Sequence, residues 1–350
     1  MKLPRRLAAS AAVALMLVST ALPTSHAVTI DWVEVGNPGN ANDTTGYGAV
    51  NYDFRIGKYE VTIQQYTDFL NAVDPSGADP HGLYNYSMGH NGNTRGISYS
   101  WGAASGHKYS PIGSGDRPIT YVSWLDAARF ANWMQNGQGS GSTETGAYTL
   151  AGAPHGEAVA RNAEATFYIP TEHEWYKAAY YSPELNSGSG GYYAYATQSN
   201  SAPGNIVGGG ANQANYFTGA GYSVTQSSYD RNQNYLTSVG AFTNAASYYG
   251  TFDQSGNVSE WNDLTGMVGE SLARGNRGGD WRSSAYMLSS SAGGGNDPSD
   301  EYETFGFRLA SSILAGGPGP VPEIDPAGMG SILALLGGGL GLLERRRKRA

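Results

Sequence analysis

The chain has 350 residues, enough for one large domain with a sizeable core, and a formal charge of −8. Its basic residues gather at the ends, so that residues 28–343 hold thirteen basic against twenty-eight acidic side chains, a charge of −15. An acidic body of this kind argues against nucleic acid as a partner, and the absence of cysteine excludes disulfide staples and thiol catalysis.

Residues 1–27 read as a secretory signal peptide. Lys2, Arg5 and Arg6 form its positive start and Leu7 to Leu22 its short apolar run, with small residues around a cleavage position after Ala27. The body, 28–314, is rich in glycine and tyrosine and poor in helical periodicity, which predicts many loops and short strands. Strands are expected in 29–36, 52–61, 165–170 and 305–311. Three helices stand out by their start signals. Thr62 with Gln65, Ser123 with Asp126, and Thr171 with Glu174 each give a capping box, followed by apolar faces such as Ile63, Tyr66, Phe69 and Leu70. His173 in the third helix reads as a solvated first-turn residue. Segments 187–234 and 285–303, full of Gly, Ser, Asn and Tyr, read as long ordered loops.

The stretch "FDQSGNVSEWND" (252–263) sets Asp253, Glu260 and Asp263 around a Gly-Asn turn. Taken alone it is either a cation loop, with carboxylate oxygens from Asp253 and Glu260 and carbonyls from Gly256 and Val258, or a plain tight turn. At the far end, residues 315–326 form a Pro/Gly linker. Residues 327–343 are an uncharged run at the lower limit for crossing a bilayer, and 344–350 form a basic tail that would stay cytoplasmic. With Val321-Pro322-Glu323 ahead of it, this layout resembles a PEP-CTERM sorting signal. The resemblance implies an inner-membrane anchor, processing by an exosortase-type peptidase, and delivery to the cell surface or outside.

The ordered pieces "IGKYEVTIQQYTDFLN", "RPITYVSWLDAARFANWM", "FYIPTEHEWYKAAYY", "FDQSGNVSEWND", "RGGDW" and "FGFRLA" resemble the formylglycine-generating enzyme, or sulfatase-modifying-factor, family from about Val35 to Ser311. The resemblance implies an irregular α+β, C-type-lectin-like fold with few helices, small sheets and long loops. It also implies calcium at Asp253, Gly256, Val258 and Glu260, and a second, weaker calcium site at Asn215, Tyr216 and Asp230.

The oxidases of that family hold copper(I) with two cysteines just after the Gly-Gly motif, and soft thiolates are what select that ion. Here Ser283 and Leu288 stand at those positions, so copper and formylglycine formation are not expected. Iron would ask for a His and carboxylate set. The body's histidines, His81, His90, His107, His155 and His173, follow no compact ligand spacing, and iron is not expected either. No nucleophile elbow or phosphate loop appears. Trp281, Arg282, Ser283 and Tyr286 remain as a candidate groove. Three functions fit: a module binding an extracellular peptide, glycan or matrix component; an oxidoreductase with altered chemistry; or a structural surface component.

Overall fold

A computed structural model describes residues 27–151, 159–268 and 271–313. The sorting tail, the basic end, His155 and all of the leader but Ala27 lie outside the described residues, and so does the C-terminal run expected to cross a membrane. Among the described residues no helix is long and apolar enough to span a bilayer.

The elements run β1 (Trp32–Val35), β2 (Phe54–Gly57), α1 (Ile63–Val73), α2 (Ser87–His90), β3 (Ile97–Tyr99), β4 (Tyr109–Pro111), α3 (Trp124–Gln135), β5 (Phe167–Tyr168) and α4 (Glu172–Tyr180). They continue with β6 (Tyr181–Ser182), the single turn α5 (Leu185–Gly188), β7 (Gly191–Tyr192), β8 (Ser259–Val268), β9 (Ser271–Arg277), a 3-10 turn at Ala285–Leu288, β10 (Gly294–Asn296), β11 (Phe305–Gly306) and β12 (Ala310–Ser312). One sheet has the order β1-β2-β12-β5 and a second β10-β9-β8-β11, beside two small ladders, β3-β4 and β6-β7. Few helices, small sheets and long loops are what the sequence predicts.

All three capping boxes form. Thr62, Ser123 and Thr171 accept from the backbone three residues on, while Gln65, Asp126 and Glu174 reach back to the cap. Each box satisfies two amide groups that a helix start otherwise leaves unpaired. The faces read from the sequence turn inward, and α3 packs Phe130 edge-on against Phe69 of α1 at 5.3 Å. Burial of such a ring stabilises by about 1.5–3 kcal/mol.

Two expectations need correction. The 305–311 strand is two strands in two sheets: β11 pairs with β8 in parallel, and β12 pairs with β2 and β5. Phe307, Arg308 and Leu309 form the buried crossing between them. The second correction is His173, which is half-buried. Its Nδ1 accepts from the Gly48 backbone at 3.1 Å and its ring meets Tyr47 edge-on.

The α3 cap carries a pH signature. Burial raises Asp126 to about 6, and burial followed by the Asp126 charge raises Glu301 to about 7. Between its ordinary value of 4.5 and about 7, Glu301 therefore binds more proton folded than unfolded. Stability is greatest below that window and falls as pH rises through it. Denaturant midpoints should drop between pH 5 and pH 8, and Glu301→Gln should flatten the drop. An unchanged slope in that variant would remove Glu301 from the effect.

Candidate functional site

The 253–260 loop folds as it does because three residues accept left-handed backbone: Asp253 (φ 63°), Gly256 (φ 95°) and Asn257 (φ 63°). At Gly256 a side chain would run into the Asn215 carbonyl, so only glycine fits. Asn257 is buried and ties the turn together. Its Oδ1 accepts from Asn215 Nδ2 (2.9 Å) and the Thr237 backbone (3.1 Å), and its Nδ2 donates to Glu60 Oε1 (3.2 Å).

Glu260 leaves the turn at the start of β8, wholly buried. Arg308, also wholly buried, donates to both of its oxygens at 2.6 Å, and Trp175 Nε1 donates at 2.8 Å. The remaining Arg308 protons go to the carbonyls of Gly57, Lys58 and Phe252. Glu60 lies close by, its Oε2 buried without a hydrogen-bond partner among the described residues. Burial, then the charges of Asp253 and Glu260, push Glu60 well above the ordinary carboxylate range. Burial likewise raises Asp253 to about 6, and its Oδ2 accepts from the Gly240 backbone at 2.6 Å.

Of the residues expected to hold calcium, Asp253 and Glu260 come together here, with Glu60 as a further buried carboxyl beside them. Both Glu260 oxygens are taken by Arg308, while the neighbouring Glu60 Oε2 has no hydrogen-bond partner among the described residues. The second expected set is engaged within the chain. The Tyr216 carbonyl accepts from Asn205 and Ser223, the Asn215 amide donates to Tyr235 and Asn257, and exposed Asp230 accepts from the Asn232 backbone. Among the described residues no three His, Asp or Glu side chains converge as a ligand set. His81 lies near Glu144, His90 stacks on Tyr86, and His107 is exposed.

Of the groove candidates, the structure brings only some together. Trp281 is wholly buried, stacked on Tyr235 at 4.9 Å, with its indole N–H unpaired among the described residues; it is core rather than lining. Arg282 pairs with Glu303, and Tyr286 is exposed. Ser283 does line a cleft of about 250 Å³ with Asn276, Asp280, Met287, Gly295 and Asn296. Its hydroxyl donates to Asp280 Oδ2 at 2.9 Å, and burial raises that carboxyl. Leu288 is wholly buried against Ala214 and Tyr216. Ser283 is thus a hydroxyl held by a carboxylate, and Leu288 a piece of hydrocarbon core.

Sequence reasoning missed Arg308, Glu60 and the buried Arg277–Glu172 pair, where Arg277 also reaches the carbonyls of Ser290 and Ala292. A lone Arg or Glu inside an otherwise apolar segment was the available signal.

Capped helices around two small sheets, a Gly-Asn turn locked to a buried Arg–Glu pair, and a shallow cleft after Gly278-Gly279 define a domain of the formylglycine-generating type without its thiols. The chain belongs to the family of the sulfatase-modifying factor enzyme 1-like domain, whose family model matches residues 34–313. Among solved structures, that of CarF is 21% identical with a TM-score of 0.50, covering 81% of this chain and 99% of CarF. Treponema denticola variable protein 1 is 18% identical (TM-score 0.46; 83% and 97% covered), and PvdO from Pseudomonas aeruginosa 17% identical (TM-score 0.41; 81% and 92% covered). At 21% identity the likeness to CarF is one of fold. No curated protein matches the chain.

The Arg308–Glu260 pair sets a test. Arg308→Met leaves a buried carboxylate unpaired and should cost about 3–5 kcal/mol, whereas adding Glu260→Gln should restore part of the loss. Chelator that lowers the wild-type unfolding midpoint, with calcium restoring it, would support an ion at this loop if Asp253→Asn abolishes the response; a midpoint indifferent to both would remove the ion.

Proposed function

We propose that this protein is an exported binding module that keeps the family's cleft and has given up its oxidation chemistry. The observation that carries the reading is Leu288. The second thiol position is filled by a wholly buried side chain packed on Ala214 and Tyr216, which leaves no ligand there for copper(I). Ser283 is the matching half, a hard hydroxyl bonded to Asp280.

An extended peptide of an extracellular or matrix partner suits the cleft. β10 is the edge strand of its sheet, and Gly294 and Gly295 on it are exposed, leaving room for a chain to lie alongside and pair with backbone groups. Asn276, Asn296 and Ser283 supply side-chain contacts, and the floor under Gly293 is the Arg277 guanidinium. The leader at 1–27 and the PEP-CTERM-like layout of 321–350 support export, exosortase-type processing and surface sorting. In this reading calcium at Asp253 and Glu260 would add to the hold that the Arg308 network gives the loop.

Two measurements test it. The wild-type chain, supplied with copper(I), oxygen and a sulfatase-type cysteine peptide, should yield no formylglycine by mass spectrometry; aldehyde product would overturn the proposal. A peptide selected from a display library against the full chain should lose binding to Met287→Trp, in which a half-exposed lining residue is enlarged into the cleft. Unaltered affinity would move the ligand elsewhere.

A further inference from the structure

A larger cleft, of about 650 Å³, opens between the 37–44 loop and the α5–β7 turn, away from the Ser283 cleft. Its size falls in the range of clefts that hold small organic ligands, roughly 300–1,000 Å³. Its lining includes Asn37, Asn42, Asn186, Ser189, Tyr181 and Tyr192, with no lysine or arginine. The one acidic lining residue, Asp43, is spent internally: Oδ1 accepts from Thr44, and Oδ2 takes the Tyr176 hydroxyl. The cleft therefore offers hydrogen bonding beside a single carboxylate and no basic side chain, which disfavours an acidic ligand.

Its walls are fixed before any ligand arrives. Asn40 Nδ2 donates to the Tyr192 hydroxyl at 2.7 Å, and that hydroxyl donates across to the Ala41 carbonyl at 2.7 Å. Asn37, held in left-handed backbone (φ 58°), is braced by Lys177 Nζ on its carbonyl (2.9 Å) and by Tyr249 on its Oδ1 (3.0 Å). Tyr181 and Tyr192 are cross-strand partners in the β6–β7 ladder, which sets their rings edge to face at 5.1 Å.

After those bonds are made, capacity is left over. Asn42 spends only Oδ1, on the Ala49 backbone, and Asn186 only Nδ2, on the Gly190 carbonyl. The amide groups of Asn37 and Asn42 remain as donors and Asn186 Oδ1 as an acceptor, while the Ser189 hydroxyl is exposed and can serve as either; none has a partner among the described residues. Neutral donors and acceptors beside a half-buried Tyr192 ring match a ligand made of hydroxyl groups with an apolar ring face. We infer that this cleft binds a neutral oligosaccharide, with amide and hydroxyl contacts to sugar hydroxyls and packing on Tyr192. Prior ordering of the walls lowers the cost of binding. The inference is separate from the peptide reading of the Ser283 cleft and stands or falls without it.

Titration calorimetry on the full chain tests it, with maltotriose, cellotriose and mannotriose as neutral probes and trigalacturonate as an acidic one. At least one neutral trisaccharide should bind and the acidic one should not. Asn42→Asp keeps the bond to Ala49 while removing the free amide donor, and should weaken binding roughly three- to tenfold, the worth of one neutral hydrogen bond. Ser189→Trp, at an exposed position with its fold checked by circular dichroism, should abolish binding; Met287→Trp should leave it intact. No neutral trisaccharide bound, affinity surviving Ser189→Trp, or preference for the acidic sugar would each overturn the inference.

Discussion

The structure depends on one buried guanidinium. Arg308 has no contact with water, and a charge in that position is tolerated only when paired and fully hydrogen-bonded. Here Glu260 takes two of its bonds and three carbonyls take the rest. Those partners sit at the end of β2, in the loop before the Gly-Asn turn, and at the start of β8. Trp175 joins α4 to the same carboxylate. One side chain thus fixes how the two sheets, the turn and a helix meet. Its own place in the chain follows from that, since it lies on the crossing where β11 leaves one sheet and β12 enters the other.

The cluster around it is over-supplied with acid. Glu60 and Asp253 face the same guanidinium that Glu260 already neutralises, and both are pushed upward, first by burial and then by neighbouring carboxylates. A proton on Glu60 is the simplest compensation for an excess of buried negative charge.

Much of the fold was legible in the sequence because its signals are local. A capping box spans four residues, and a helical face repeats every three or four, so α1, α3 and α4 could be read from short windows. The glycine-required turn at 256 was legible for the same reason. What escaped were contacts made at long range. Nothing near residue 260 announces that its partner lies at 308, and nothing near Trp281 says that Tyr235 covers its ring. Trp281 looked like groove lining since it follows the Gly-Gly motif, yet the turn at Gly278 and Gly279 sends the indole inward and leaves Ser283 facing the cleft. The "FGFRLA" segment looked like one strand because its apolar run is continuous, and a buried crossing is as apolar as the strands it joins.

The two clefts differ in a way that bears on what the domain has become. The Ser283 cleft has an ionic floor, Arg277 paired with Glu172, and an open strand edge above it, so backbone pairing can set affinity there. The cleft by Tyr192 has no basic side chain and one carboxylate tied to neutral donors, and its bonds run across from wall to wall, so shape and hydroxyl matching would set affinity instead. Neither needs a metal or a reactive side chain. A scaffold locked by a buried ion pair holds both clefts at a fixed separation.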